Sequence, residues 1–503
     1  MAKKTIQPYV LLFILFFITY GYFFQGGGWN QNSRICLVRA IIHYRTFSID
    51  NYKEDADEPY YEFVNTGDWA YRNDHYYSDK APGISFMGVI PFAATEYNLK
   101  KFFEKTPENL VFFSTYISTL FTSVLSSTLL CLLLFHVFSQ FFNLNSFRSM
   151  LLTLFFGFGT LVFSYSTTFY SHVPCAFFSF FSFVLAMYIK NYNFKNKKKL
   201  AFLAGFFAAV AVVTEYPAIF SLICILIYLT SFQEGRKYAV SFFTGCILPG
   251  VILCLYLFVC FGSPFVTGYH YSNPVIQWSI NGNLFGIPTP SKIIQLLFYP
   301  YRGLFFSSPV LLMALPGIFL QIKKRKRISE TMLCLCLTSI IVMFVASFYA
   351  WHGGTAVGPR YLIIAFPFGF LLTVYAYKKF PIIFTVLGLL SILINLSITI
   401  VGNEIPREIK NPLHDVVCKS ILDGEVSINP IPITNFKNYP HIYKLADMKN
   451  WTPNFNSFNL GELLFPHQIT SILPLILFWI IWGYTWWKKV GNPTPNNQGP
   501  LLP

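Results

Sequence analysis

Long apolar runs constrain this chain more than any other feature. About 20 residues rising 1.5 Å each cross the ~30 Å hydrocarbon layer of a bilayer. Twelve runs approach that length, at roughly 7–25, 109–138, 149–168, 172–189, 200–214, 217–231, 238–261, 304–321, 330–348, 361–377, 380–400 and 467–487. Only 12% of the residues are charged, against about 25% in an ordinary soluble domain. The expected fold is all-α and integral to a membrane, with about 12 transmembrane helices. Segment 84–97 is expected to enter the membrane surface without crossing. The first run follows Lys3 and Lys4 and ends at "QGGGWN", a poor cleavage site, so it reads as an uncleaved helix.

The spans alternate between two sides. One side collects 19 of the 37 Lys and Arg, in "AKK", "KNYNFKNKKK", "GRK", "KKRKR" and similar short loops, with only Glu234 and Glu330 as acids. Excess Lys and Arg in short loops marks the cytoplasmic face. Both termini are therefore expected inside, with a bacterial plasma membrane as the location. The basic balance is a topology signal. No nucleic-acid-binding pattern accompanies it, so nucleic acid is not an expected partner.

The ten cysteines are scattered, mostly within apolar runs. None has zinc or redox spacing, so they read as small buried residues. Cys36 and Cys418 both fall in outer loops, which leaves a pairing open.

Polar chemistry gathers on the opposite side. Its large loops are 26–108 and 401–466, with smaller ones at 262–295 and 348–362. In "NSRICLVRAIIHYRTF" the apolar residues recur with helical spacing and the arginines take the other face. This predicts an amphipathic helix lying on the membrane surface. After it comes "TGDWAYRNDHYYSDKAPGISF". Asp68, Asp74 and Asp79 are close together there, and Tyr71, Tyr76 and Tyr77 suit an interface belt. Lys80 opens an apolar segment. A lysine at that border snorkels to water or meets an anion, and a lipid-linked phosphate is the natural anion at that depth.

"YYSDKAPGIS" resembles the lysine–proline loop of GT-C glycosyltransferases, polytopic enzymes that use polyprenyl-phosphate sugars. "WHGGTAVGPRYLIIAFPF" is similar to the arginine-bearing start of a late helix in the same superfamily, which includes the protein mannosyltransferase and aminoarabinose transferase-like families. The resemblance covers about residues 1–400. It implies a GT-C-like bundle with interfacial helices in the first outer loop. It also implies that Lys80 and Arg360 contact the carrier phosphate. Many members carry an acidic pair after the first helix, where one carboxylate is the base; this chain reads "GGGWNQNSR", with Asn30 and Asn32.

The resemblance implies a glycosyltransferase acting on a polyprenyl-phosphate sugar donor, hexosyl or pentosyl, with inversion at the anomeric carbon. The acceptor is a lipid, glycan or protein, and membrane lipids surround the whole. Expected catalytic residues are Asp68, then Asp79 and Asp50. Expected carrier-phosphate cations are Lys80 and Arg360, with Arg302 of "YPYRGLFF" third. Glu215 in "VVTEYPAIF", His172 in "YSHVPCAFF", His352 in "WHGG" and Tyr77 are candidates for substrate binding. No cofactor motif is present, and a divalent cation beside the aspartates stays open. Residues 1–400 read as the transmembrane domain, 401–466 as a small outer cap, and 467–503 as a last helix with a disordered cytoplasmic tail. The competing reading is a polytopic transporter or a lipid-linked glycan flippase. Carriers place broken, polar segments near mid-membrane in two related halves, and this chain instead puts its polarity at one surface.

Overall fold

The computed structural model describes residues 2–26, 28–52, 66–102, 104, 107–193, 195–272, 283–428, 430–431, 452–453, 457–465 and 468–491. The proposed C-terminal tail from 492 onward and the acidic run at 54–58 lie outside them.

The chain is mostly helical. Among the described residues, six helices are long and apolar enough to cross a membrane: Asn109–Gln140, His172–Asn191, Ala239–Phe261, Ile328–Ser347, Pro381–Val401 and Ile469–Val490. Ile6–Gly21, Ser146–Gly157, Tyr216–Thr230, Pro309–Lys323 and Arg360–Leu371 are shorter apolar helices, and Lys197–Thr214 forms another helix. Several expected continuous spans are broken. The run 149–168 ends its helix at Gly157 and resumes at Val162–Ser166. The run 304–321 divides at Ser308 before Pro309, which removes a backbone donor. Exposed apolar side chains such as Ile247, Leu255, Ile383, Val386, Leu393 and Ile480 cover the outer faces of three of the long helices, as a lipid-facing surface requires.

The first large loop departs from expectation. Trp29–Tyr44 forms the expected helix, but of its expected polar face Arg34 is buried and Arg39 half-buried, while His43 and Arg45 are exposed. Asn30, Gln31, Asn32, Ser33 and Arg34 are buried together with Ile35, Leu37 and Val38. Polar partners from distant segments, set out below, meet these buried polar residues. The next helix, Gly83–Leu99, packs against it and against Pro107–Thr119.

Between these helices stands a β-hairpin that the sequence reading took for a loop. Trp69–Arg72 pairs antiparallel with His75–Ser78. Asn73 and Asp74 make the turn at φ 49° and 63°, the left-handed geometry that two-residue hairpin turns need and that Asn and Asp tolerate.

In the last loop, Phe458–Asn459 pairs with Phe23–Phe24 just after the first helix, and Leu413–Cys418 continues into Lys419–Leu422. Part of the expected cap, including 432–451, falls outside the described residues. Cys36 is buried, Cys418 is exposed, and no disulfide joins them.

Candidate functional site

The hairpin register builds the first half of the site. Trp69 faces Ser78, so the residues just beyond, Asp68 and Asp79, leave the hairpin side by side. Lys80 follows and meets both: its Nζ lies 3.1 Å from Asp68 Oδ2 and 3.2 Å from Asp79 Oδ1. Ser33 pins this end to the preceding helix, with its hydroxyl 2.6 Å from the Asp68 carbonyl and 2.7 Å from Ser78 Oγ. Lys80 is 8% exposed and Asp79 1%. The Lys80 ammonium sits 5.3 Å from the ring centre of Tyr269. Gly268 permits that approach, since a Cβ there would lie 2.6 Å from Asp79 Cα.

Burial alone would discharge these groups. For Lys80, burial disfavours the ammonium, but Asp68 and Asp79 outweigh it and hold its pKa well above the usual value. For Asp79, burial wins over the Lys80 charge and pushes the carboxyl up to about 6.

A second buried pair adjoins the first. Arg34 donates from Nη1 to the Ala81 carbonyl (2.9 Å), from Nε to Asn30 Oδ1 (2.9 Å) and from Nη2 to Glu215 Oε1 (3.1 Å). Glu215 caps the end of Lys197–Thr214. It also accepts from the Ser171 hydroxyl and lies 3.4 Å from His172 Nδ1. Burial opposes its charge, yet hydrogen bonding to His172 and the Arg34 charge hold its pKa down at about 2.

Arg360 forms the third part. It is buried, with its guanidinium 5.1 Å from the ring centre of Tyr170 and 5.5 Å from that of Tyr361. Its Nε has no hydrogen-bond partner among the described residues. Tyr170 donates to Glu404, whose carboxylate occupies the space a Cβ would need at Gly28. Tyr361 ties the parts together: its ring packs on His172 at 5.6 Å, and its hydroxyl is an electrostatic neighbour of Lys80. Glu404 in turn feels the charge of Asp68.

Beside this cluster is a cavity of about 320 Å³. Phe220, Phe344, Phe348 and Ile364 line it, and its polar lining includes His172, Glu215, Tyr269 and Tyr361.

The remaining expected residues stand apart or are fully occupied. Asp50 clasps the hairpin, 2.7 Å from His75 Nδ1 and accepting the Tyr76 N–H at 2.6 Å. Tyr77 bridges to Ser48 and packs its ring on Phe261. Arg302 donates to three backbone carbonyls, of His352 (2.6 Å), Tyr301 (2.8 Å) and Gly354 (3.0 Å). It therefore staples the "WHGG" turn instead of offering a free cation. His352 Nδ1 accepts the Gly354 N–H at 2.9 Å, and burial, then Arg302, pushes its pKa down to about 4. No group of three metal-ligating side chains occurs among the described residues.

Sequence reasoning missed Arg34 as a buried partner, and it missed Tyr269, Tyr361, Tyr170 and Glu404 altogether. Tyr361 had a signal, as the neighbour of Arg360. Glu404 had a weaker one, as the acid that ends an apolar run.

No protein-family model matches the chain, and no curated protein does. Three solved structures are partly alike. ArnT from Cupriavidus metallidurans in the apo state is 12% identical with a TM-score of 0.46, covering 75% of this chain and 61% of its own. The apo oligosaccharyltransferase of Archaeoglobus fulgidus is 12% identical with a TM-score of 0.48, covering 88% and 64%. The oligosaccharyltransferase AglB from Archaeoglobus fulgidus, in complex with an inhibitory peptide and a dolichol-phosphate, is 13% identical with a TM-score of 0.48, covering 89% and 64%. This chain thus spans less than two thirds of the length of the structures it matches.

Proposed function

We propose that this protein is a membrane glycosyltransferase. It moves a sugar from a polyprenyl-phosphate carrier to an acceptor at the face carrying Lys80, with inversion at the anomeric carbon. In this reading about twelve segments cross a bacterial plasma membrane in a GT-C-like bundle, both termini are cytoplasmic, and residues 401–466 cap the site.

One observation carries the proposal. Two buried cations, Lys80 and Arg360, flank Tyr361 beside a mostly apolar cavity, and Arg360 keeps a buried donor unpartnered. An unsatisfied buried donor is costly unless a ligand completes it. A lipid phosphate supplies the missing acceptor, and its first isoprene units fit the cavity. Charge builds on that phosphate as the sugar leaves, and fixed cations stabilise it without reorganising. Asp68 and Asp79 hold the ammonium in place and balance its charge before the donor arrives.

The test is transfer from radiolabelled undecaprenyl-phosphate hexoses and pentoses in membranes that hold the protein. Lys80→Ala should lower the rate by about 10²–10³-fold, the usual effect of removing one fixed donor. Asp68→Asn leaves Asp79 on the ammonium and should cost no more than about tenfold, one interaction of ~1.4 kcal/mol. Normal transfer by Lys80→Ala, or no transfer by wild type from any such donor, overturns the proposal.

A further inference from the structure

Sugar transfer of this kind requires a proton acceptor. Both carboxylates at the hairpin end are committed: Asp68 and Asp79 sit within 3.2 Å of the same ammonium. Neither lines the cavity, so neither faces the space an acceptor would occupy.

His172 is differently placed. It is 5% exposed and lines the cavity. Glu215 stands 3.4 Å from its Nδ1. Glu215 is itself fixed by Arg34 at 3.1 Å and by the Ser171 hydroxyl. Aromatic rings hold the imidazole edge-on, those of Tyr361 at 5.6 Å, Tyr170 at 5.8 Å and Tyr165 at 6.4 Å. Its other nitrogen, Nε2, is buried with no hydrogen-bond partner among the described residues. A carboxylate on one imidazole nitrogen fixes the proton there and leaves the second nitrogen as a lone-pair acceptor.

We infer that His172, oriented by Glu215, is the general base that takes the acceptor's proton. The inference rests on the sugar-transfer reading. The acceptor hydroxyl oxygen bonds to the anomeric carbon as its proton passes to Nε2. The bond from that carbon to the carrier-phosphate oxygen breaks, and its electron pair leaves with the phosphate. Glu215 stabilises the imidazolium, which then releases its proton to solvent or to the departing phosphate. Glu215 acts through His172 and is a positioning residue.

The charged and titratable groups facing the imidazole are Glu215, Arg34, Arg360, Tyr165, Tyr170 and Tyr361. Wild-type kcat should therefore fall on the acid side as His172 protonates. His172→Gln should lower kcat by about 10²–10⁴-fold, the usual worth of general-base help. Binding of the labelled donor should survive, and the acid limb should vanish. Glu215→Gln should move that limb while Asp68→Asn leaves it in place. Where His172→Gln no longer binds donor, the limb decides: its absence in wild type, or its movement in Asp68→Asn, overturns the dyad. Wild type inactive with every donor sinks the sugar-transfer reading. Active wild type with a normal His172→Gln sinks the dyad alone.

Discussion

The two ends of the helix bundle handle positive charge in opposite ways. At the Lys80 end, Arg34, Lys80, Arg302 and Arg360 are each at most 8% exposed, and carboxylates, carbonyls or aromatic rings surround them. At the other end, Lys323, Lys324, Arg325 and Lys326 are exposed, Lys190 holds Glu330 at 3.0 Å, and Lys197, buried like the cations above, holds Glu234 at 2.8 Å. A cation in water needs no particular partner and sits wherever the helix ends. A buried cation is tolerated only where acceptors are already arranged around it. The exposed cations therefore need no arranged partners, and the buried ones are built into a network of them.

Arg34 gives the sharpest way to break this contrast. Arg34→Met should strand Glu215, cut the tie to Ala81 and destabilise the protein by about 3–5 kcal/mol, the range for breaking one side of a buried ion pair. Denaturation of the detergent-solubilised protein, followed by circular dichroism, measures it. A loss under about 1 kcal/mol would mean that the pair is effectively solvated.

Much of this organisation could be read in the sequence, and the part that could not has a common cause. The apolar runs gave most of the helices, because their period and length are local properties. Lys80 and Arg360 stood out because a charge beside a long apolar run is locally conspicuous. Arg34 was misplaced because a helical pattern separates polar from apolar faces, yet cannot say whether water or protein meets the polar one. Its carboxylate partner lies 181 residues away. The hairpin was legible in principle from Asn73–Asp74. Its register, which sets Asp68 beside Asp79, is a pairing property. Glu404 reaches Gly28 only through the folded bundle, and no local signal announces that.

Glu404 sharpens the comparison through pH. Burial pushes its carboxyl up from 4.5 to about 6, against the opposing effects of Arg360 and the Tyr170 hydrogen bond. A raised carboxyl binds its proton more tightly in the folded chain than in the unfolded one. Its contribution to stability is fully present below the unfolded pKa and is lost as pH rises through about 6. Glu404→Gln keeps the shape and removes the titration. Its melting temperature relative to wild type should rise between pH 5 and pH 8. An unchanged difference across that range would mean that Glu404 is as well solvated as a surface carboxylate.

The smallest effect belongs to the exposed end, and its smallness is the point. Lys324→Met removes a full charge from a side chain with no acidic partner among the described residues, close enough to Lys378 to repel it. Surface changes of this kind move stability by no more than about 0.5 kcal/mol, and relief of repulsion makes a slight gain the expected sign. The same assay in low and high salt separates the contributions, because repulsion between exposed charges is screened beyond about 10 Å at 0.1 M salt. A gain at low salt that disappears at high salt fits a solvated, repelling cluster. A loss above 1 kcal/mol at either salt would place Lys324 in the buried class and erase the distinction between the two ends.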